Sequence, residues 1–434
     1  MGAVVLGARR LPILLAVVLL AVLAGCGGGG NGVPTLTWYI NPDNGGQAAL
    51  AESCTTAANG EYRIETQLLP SDADGQREQL VRRLAANDTG IDLMSLDVAY
   101  VAEFAAAGFL QPFTDDAVVR ELTDGILDGP LQTAYHDDQL VAAPFWANTQ
   151  LLWYRESVAS QAGVDPSANT VTWDQLVDAA EQTGSTFAIT GSRYEGYVVL
   201  INALVLSAGG EILQDPESGR DATAELDSDA GRTAASSIRK LARSSAAPPE
   251  MDTAIEEDAR NAFQAANGGF MANWIYVYAA AKSAVEAGTL DQATFDDIAW
   301  ARFPRAVAGS ESQPPLGGIN IGINTHTNHP DLTVDAVRCL TQLDNQIQYM
   351  LAEGNSGARR AVYDDASVRA QFPMADLIRE SINDAGPRPQ SPFWTDVSAA
   401  IQQDWHPPRS VDPASTPQKT DRLIADVLDN QALV

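Results

Sequence analysis

The segment Ala143–Arg155 reads APFWANTQLLWYR. At strand period Phe145, Ala147, Thr149, Leu151 and Trp153 face one way, and Trp146, Asn148, Gln150, Leu152 and Tyr154 face the other. The first set is a core face. The second places an indole beside two carboxamides, a combination that suits the wall of a binding site. From Leu140 to Arg155 the only strong breaker is Pro144, so one strand is long enough to leave one lobe and enter another.

Around this segment strands alternate with helices. LTWYI (Leu36–Ile40) reads as a strand, and GQAALAESCTTAAN (Gly46–Asn59) as a helix stopped by Asn-Gly. YRIETQLL is a second strand. GQREQLVRRLAAND follows as a helix with Leu80, Val81 and Leu84 on one side, and IDLMSLD (Ile91–Asp97) is a third strand ending on an acid. This alternation predicts βαβ units and a parallel sheet. Past the opening segment, Thr172 caps a helix and EGYVVLINALVLSAGG is a buried helix closed by Gly209-Gly210. GGFMANW, IAWARFP and GGINIGIN read as further strands. A single helix is predicted over Thr333–Gly354, and only helices from Ser367 onward. The expected fold class is α/β, with two lobes around a ligand cleft. The first lobe is expected over 34–143 plus 308–362, and the second over 144–307 plus 363–434.

The N-terminus stands apart from this pattern. Arg9 and Arg10 precede an apolar run that ends in LAGC, Leu23–Cys26, followed by GGGGNG. A basic start, a short apolar core and a small-residue cleavage site make an export signal over 1–25. Cys26 is the expected lipidation site, with 26–33 as a flexible tether to the membrane. The 434-residue chain holds 27 basic and 56 acidic residues, a net charge of −29. Such a field disfavours nucleic acid and anionic ligands, and favours neutral or cationic ones. The two remaining cysteines, Cys54 and Cys339, form either a disulfide or two buried thiols; export favours the disulfide.

Motifs for chemistry are sparse. P-loop, G-x-S-x-G, G-x-G-x-x-G and H-E-x-x-H patterns are all missing, so no cofactor is expected. HTNH (His326, His329) sits at a strand-to-helix turn beside Pro330, and SDADG (Ser71–Gly75) reads as a turn that caps a helix, so no metal site is expected. Asp97 with Glu257 satisfies the minimal requirement of a glycosidase, two acids flanking one bond, and a secreted glycosidase is the alternative reading. Sugar recognition needs rings against pyranose C–H faces, and carboxylates or carboxamides for hydroxyl pairs. Trp146, Asn148, Trp274, Asp97, Glu257 and Arg388 are such residues at the ends of predicted elements.

Several stretches carry a resemblance. LDVAYVAEFAAAGFL, NTQLLWYR, TWDQLVDAA and LVLSAGGEIL, with the export cysteine, resemble the family 1 extracellular solute-binding proteins of ABC sugar importers. EQLVRRLAANDTGIDLMSLDV, AVRCL and GPRPQSPFW are most similar to the LpqY-type trehalose-binding lipoproteins of actinobacterial importers. The resemblance implies a two-lobed periplasmic-binding-protein fold (type II) with crossing hinge strands, which closes on a sugar and performs no chemistry. It implies Asp97, Asn148, Glu257, Trp274 and Arg388 as sugar contacts, with the Gly317-Gly318 turn and the Asp43-Asn44 loop lining the cleft. The implied ligand is trehalose or a related α-glucoside disaccharide, with another oligosaccharide such as maltose as the alternative. The implied partners are ABC permease subunits with a cytoplasmic ATPase, and the protein itself is expected to be a monomer. Two stretches depart from the family pattern: the loop NPDNGG is short, and Arg193-Tyr194 stand where small and amide residues are usual.

Overall fold

The computed structural model describes residues 32–434. The export signal, Cys26 and most of the tether lie outside the described residues. The main sheet has eight strands: β1 (Thr35–Ile40), β2 (Arg63–Leu68), β3 (Leu93–Asp97), β4 (Ala142–Arg155), β5 (Thr186–Ala188), β6 (Gly268–Trp274), β7 (Ile298–Ala301) and β8 (Leu316–Ile323). The order is β2-β1-β3-β8-β4-β6-β5, with β7 also on β4. β1 runs parallel to β2 and β3, as the alternation with helices predicts, and β8 closes that half antiparallel to β3.

β4 is the strand that joins the halves. Ala142–Thr149 pair with β8, whereas Gln150–Arg155 pair with β6 and β7. The exchange of partners therefore falls between Thr149 and Gln150. The boundary expected at 143/144 lies inside the portion that still pairs with β8. Both faces of β4 are covered, since Leu152 and Tyr154 join one apolar cluster while Ala147, Leu151 and Trp153 join another. Phe145 enters a third cluster with Trp38 and Tyr349. At Pro144, which has no N–H to give the ladder, the register with β8 shifts between Ile319 and Asn320.

Helix starts follow their local chemistry. Thr172 accepts from Gln175 N at 3.3 Å while Gln175 Oε1 accepts from Thr172 N at 2.9 Å, a capping box. Asp72 caps the helix Ala73–Leu84 by accepting from Gly75 N, so SDADG is a helix-capping turn. The helix Glu195–Ser207 is almost wholly buried. Cys54 and Cys339 are joined by a disulfide that ties the helix Gly46–Ala57 to the helix Pro330–Leu340.

Two expectations need correction. The helix predicted over Thr333–Gly354 is two helices, Pro330–Leu340 and Leu343–Glu353. The side chains of Gln346 and Arg359 donate to the Thr341 carbonyl, so that group is taken from the helical ladder, and Gln342 turns extended. The region after Ser367 is mostly helical, but 384–393 is a non-helical loop between the helices Ala375–Asn383 and Trp394–Trp405. That loop carries Arg388.

Candidate functional site

A cleft of about 510 Å³ opens where the two halves of the sheet meet, a volume within the usual range for small-molecule sites. Asp97, Trp146, Asn148, Glu257, Trp274, Gly318 and Arg388, all expected from sequence, line it. Asp43 and Asn44 do not line it. Asp43 accepts from Gly45 N and Gln47 N at the entry to the first helix, and Asn44 is bound to Glu353 of the helix Leu343–Glu353. From that loop Asn41 and Pro42 face the cleft instead.

Three of the polar side chains share one arrangement, with one atom tethered and one left over. Asp97 Oδ1 accepts from Ala99 N at 2.9 Å and from Arg388 Nη2 at 2.6 Å, while Oδ2 has no partner among the described residues. Glu257 Oε2 accepts from Arg260 Nε at 3.1 Å and Nη2 at 2.6 Å, which leaves Oε1. Asn148 Oδ1 accepts from Thr149 N at 2.9 Å, which leaves Nδ2 as a donor. Tethering one atom fixes the rotamer before a ligand arrives, so less side-chain entropy is lost on binding. Two acceptors and one donor of this kind suit sugar hydroxyls, each of which both donates and accepts.

The floor is set by two glycines. At Gly317 an added Cβ would stand 2.9 Å from Trp274 Cη2, so the indole lies directly against the β8 backbone. Gly318 has φ +129, where L side chains are strained, and an added Cβ would overlap the carbonyl oxygen of Trp146. Trp274 is placed from behind. Asn273 Oδ1 accepts from Trp274 N at 2.8 Å, and Asn273 Nδ2 donates to Glu256 O at 2.9 Å. The end of β6 is thereby locked to the start of the helix Glu256–Gln264, which carries Glu257. Trp146 lies against Tyr349, with ring centroids 6.4 Å apart.

Other lining residues escaped sequence reading. Tyr194 donates its hydroxyl to Glu256 Oε2, over a Gly196 that has no room for a Cβ beside that pair. Burial, then the Glu256 carboxylate, holds the Tyr194 phenol far above its ordinary pKa, so it remains a donor. Glu195 also lines the cleft and is buried. The only local signal for either was the unusual Arg193-Tyr194 pair. Asp72, Asp97, Glu195, Glu256 and Glu257 line this cleft, with Arg388 as the one lining cationic residue among the described residues. This balance of charge disfavours an anionic solute. Among the described residues no group of three His, Cys, Asp or Glu side chains is placed to hold a metal.

The family model for bacterial extracellular solute-binding proteins matches residues 46–347. The chain belongs to that family. Its members bind solutes outside the cytoplasm and work with ABC permeases; they are binding proteins rather than enzymes. A probable ABC transporter-binding protein of Deinococcus radiodurans is 25% identical over 331 residues, 74% of this chain and 75% of that protein. The maltose-bound MalE3 of T. maritima superposes with a TM-score of 0.78 at 25% identity, covering 92% of this chain and 100% of the other. A solute-binding protein of Thermotoga lettingae bound to alpha-D-tagatose reaches 0.74 at 21% identity, covering 91% and 100%. The fold is the two-lobed periplasmic-binding-protein fold, with β4 as a crossing strand.

Proposed function

We propose that this solute-binding protein captures a neutral disaccharide, trehalose or a related α-glucoside such as maltose, and delivers it to an ABC permease from a lipid anchor at Cys26. The observation that carries the reading is the set of half-tethered side chains, Asp97, Asn148 and Glu257, in one cleft with the Trp274 indole. Asp97 and Glu257 accept from hydroxyls, Asn148 donates, and Trp274 supplies an apolar face for a pyranose ring. The solved MalE3 relative is maltose-bound, which supports the sugar class. Closure follows because the residues come from both halves of the sheet, and only the shut state lets one ligand touch all of them.

A thermal-shift panel of the full chain tests this. Trehalose or maltose is expected to raise Tm, and glucose 6-phosphate is expected not to, given the excess of carboxylates in the cleft. A panel in which no neutral disaccharide raises Tm, or in which sugar phosphates do so preferentially, overturns the reading.

A further inference from the structure

Arg388 lies in the cleft lining, yet both of its terminal nitrogens are already engaged. Nη1 donates to Glu195 Oε1 at 2.7 Å and Nη2 donates to Asp97 Oδ1 at 2.6 Å. Side chains of Arg388 and Glu195 are each 2% exposed, and that of Asp97 is 21% exposed. The two carboxylates fall in different lobes of the division expected from sequence, 34–143 and 144–307. Asp97 ends β3 in the first half of the sheet, whereas Glu195 begins the buried helix Glu195–Ser207.

Arg388 itself travels with Glu195. Its loop is pinned to the buried helix by Asn202 Nδ2 donating to the Pro387 carbonyl at 3.2 Å. Glu195 is held in turn by the helix Trp394–Trp405: Trp394 Nε1 donates to Oε1 at 2.8 Å, and Ser398 Oγ donates to Oε2. Burial works against the guanidinium charge, but Asp97 and Glu195 more than restore it and hold its pKa above the ordinary value. Beside this chain, Thr395 Oγ1 donates to Glu103 Oε2 at 2.9 Å and spans the same gap.

The energetics are asymmetric. If the lobes part, Arg388 stays paired with Glu195, so no buried cation is stranded, and Asp97 passes to water. If the lobes shut, the guanidinium gains a second carboxylate and Asp97 gains a fixed direction. We propose that Glu195 and Arg388 are positioning residues that act through Asp97, presenting its Oδ2 to the ligand only when the lobes are shut. On this assignment Arg388 need not touch the sugar, and the ion pair favours closure before any ligand binds. The ligand half of the inference rests on the sugar-binding reading above; the closure half does not.

The test is a double-mutant cycle with two readouts on the full chain. Arg388→Lys keeps the charge for Glu195, but a point ammonium cannot fork onto two carboxylates. Inter-lobe distances of the ligand-free protein, measured between spin labels on the two lobes, are expected to shift toward open in Arg388→Lys and in Asp97→Asn. The double variant is expected to open no further than either single variant. Disaccharide Kd is expected to rise about 30-fold in Arg388→Lys, and the same change in an Asp97→Asn background to alter Kd by less than about threefold. Ser398→Ala, a milder variant that leaves every charge in place, is expected to shift both readouts in the same direction by a smaller amount. Unchanged distances in Arg388→Lys, or an equal loss of affinity in both backgrounds, overturn the proposal; the latter marks Arg388 as a direct contact. If the distances shift as expected while no disaccharide binds the wild type, the sugar reading fails and the closure half of this inference stands.

Discussion

The two walls of the cleft are built differently. On the first-half side, Asp97, Trp146, Asn148 and Gly318 stand on β3, β4 and β8, and their places follow from backbone register. On the other side, Tyr194, Glu195, Glu257 and Arg388 stand at helix starts or in a loop; side-chain pairs across long sequence separations hold Tyr194, Glu195 and Arg388, and Arg260 of the same helix holds Glu257. A wall held by sheet register moves only if the sheet does. A wall held by ion pairs and hydrogen bonds can be retuned one residue at a time.

Substitutions break or sharpen that contrast. The largest effect is expected from Gly318→Ala, which adds a Cβ at positive φ against the Trp146 carbonyl. We expect a loss of about 3 kcal/mol or more of stability, read as a fall in the urea midpoint, because the strand-built wall cannot yield locally. On the opposite wall, Tyr194→Phe removes only the donor that anchors Glu256. Disaccharide Kd is expected to rise roughly threefold with little change in Tm. The phenol pKa is raised, so the donor is lost only above that raised value. Wild-type affinity is therefore expected to be flat, as far as this group decides it, from roughly pH 6 to 9. The smallest effect on binding is expected from Asp43→Ala. It removes acceptors for Gly45 N and Gln47 N outside the cleft, and should cost about 1 kcal/mol of stability while leaving Kd unchanged. A change in Kd as large as that of a cleft variant would place the loop in the site after all.

The same contrast accounts for what could be read from sequence. The strands were legible because alternation and length carry their own signal, and β4 was identifiable from one long run of residues broken only by Pro144. The strand-built wall came with it, since Asp97 closes an apolar strand and Asn148 falls on the polar face. The other wall was legible only in part. Glu257 and Trp274 stand at the ends of recognisable elements, but nothing local joins positions 97, 195 and 388, so the clamp among them emerges only when the chain is folded. The break at Thr341 was hidden for the same reason, because Gln346 and distant Arg359 take its carbonyl. In the loop after β1, the family resemblance implied Asp43-Asn44, whereas geometry turns those side chains to the helix and leaves Asn41 and Pro42 to the cleft.

The central claim is that one cleft binds a neutral disaccharide through pre-tethered side chains, and isothermal titration with trehalose and maltose tests it most directly. The wild type should give one saturable site for at least one of them. Glu257→Ala should weaken that affinity by about 30-fold, the loss of roughly 2 kcal/mol expected when a hydrogen-bonded charged partner is removed. Equal affinity in the two proteins, or no binding heat from either sugar in the wild type, would contradict the account.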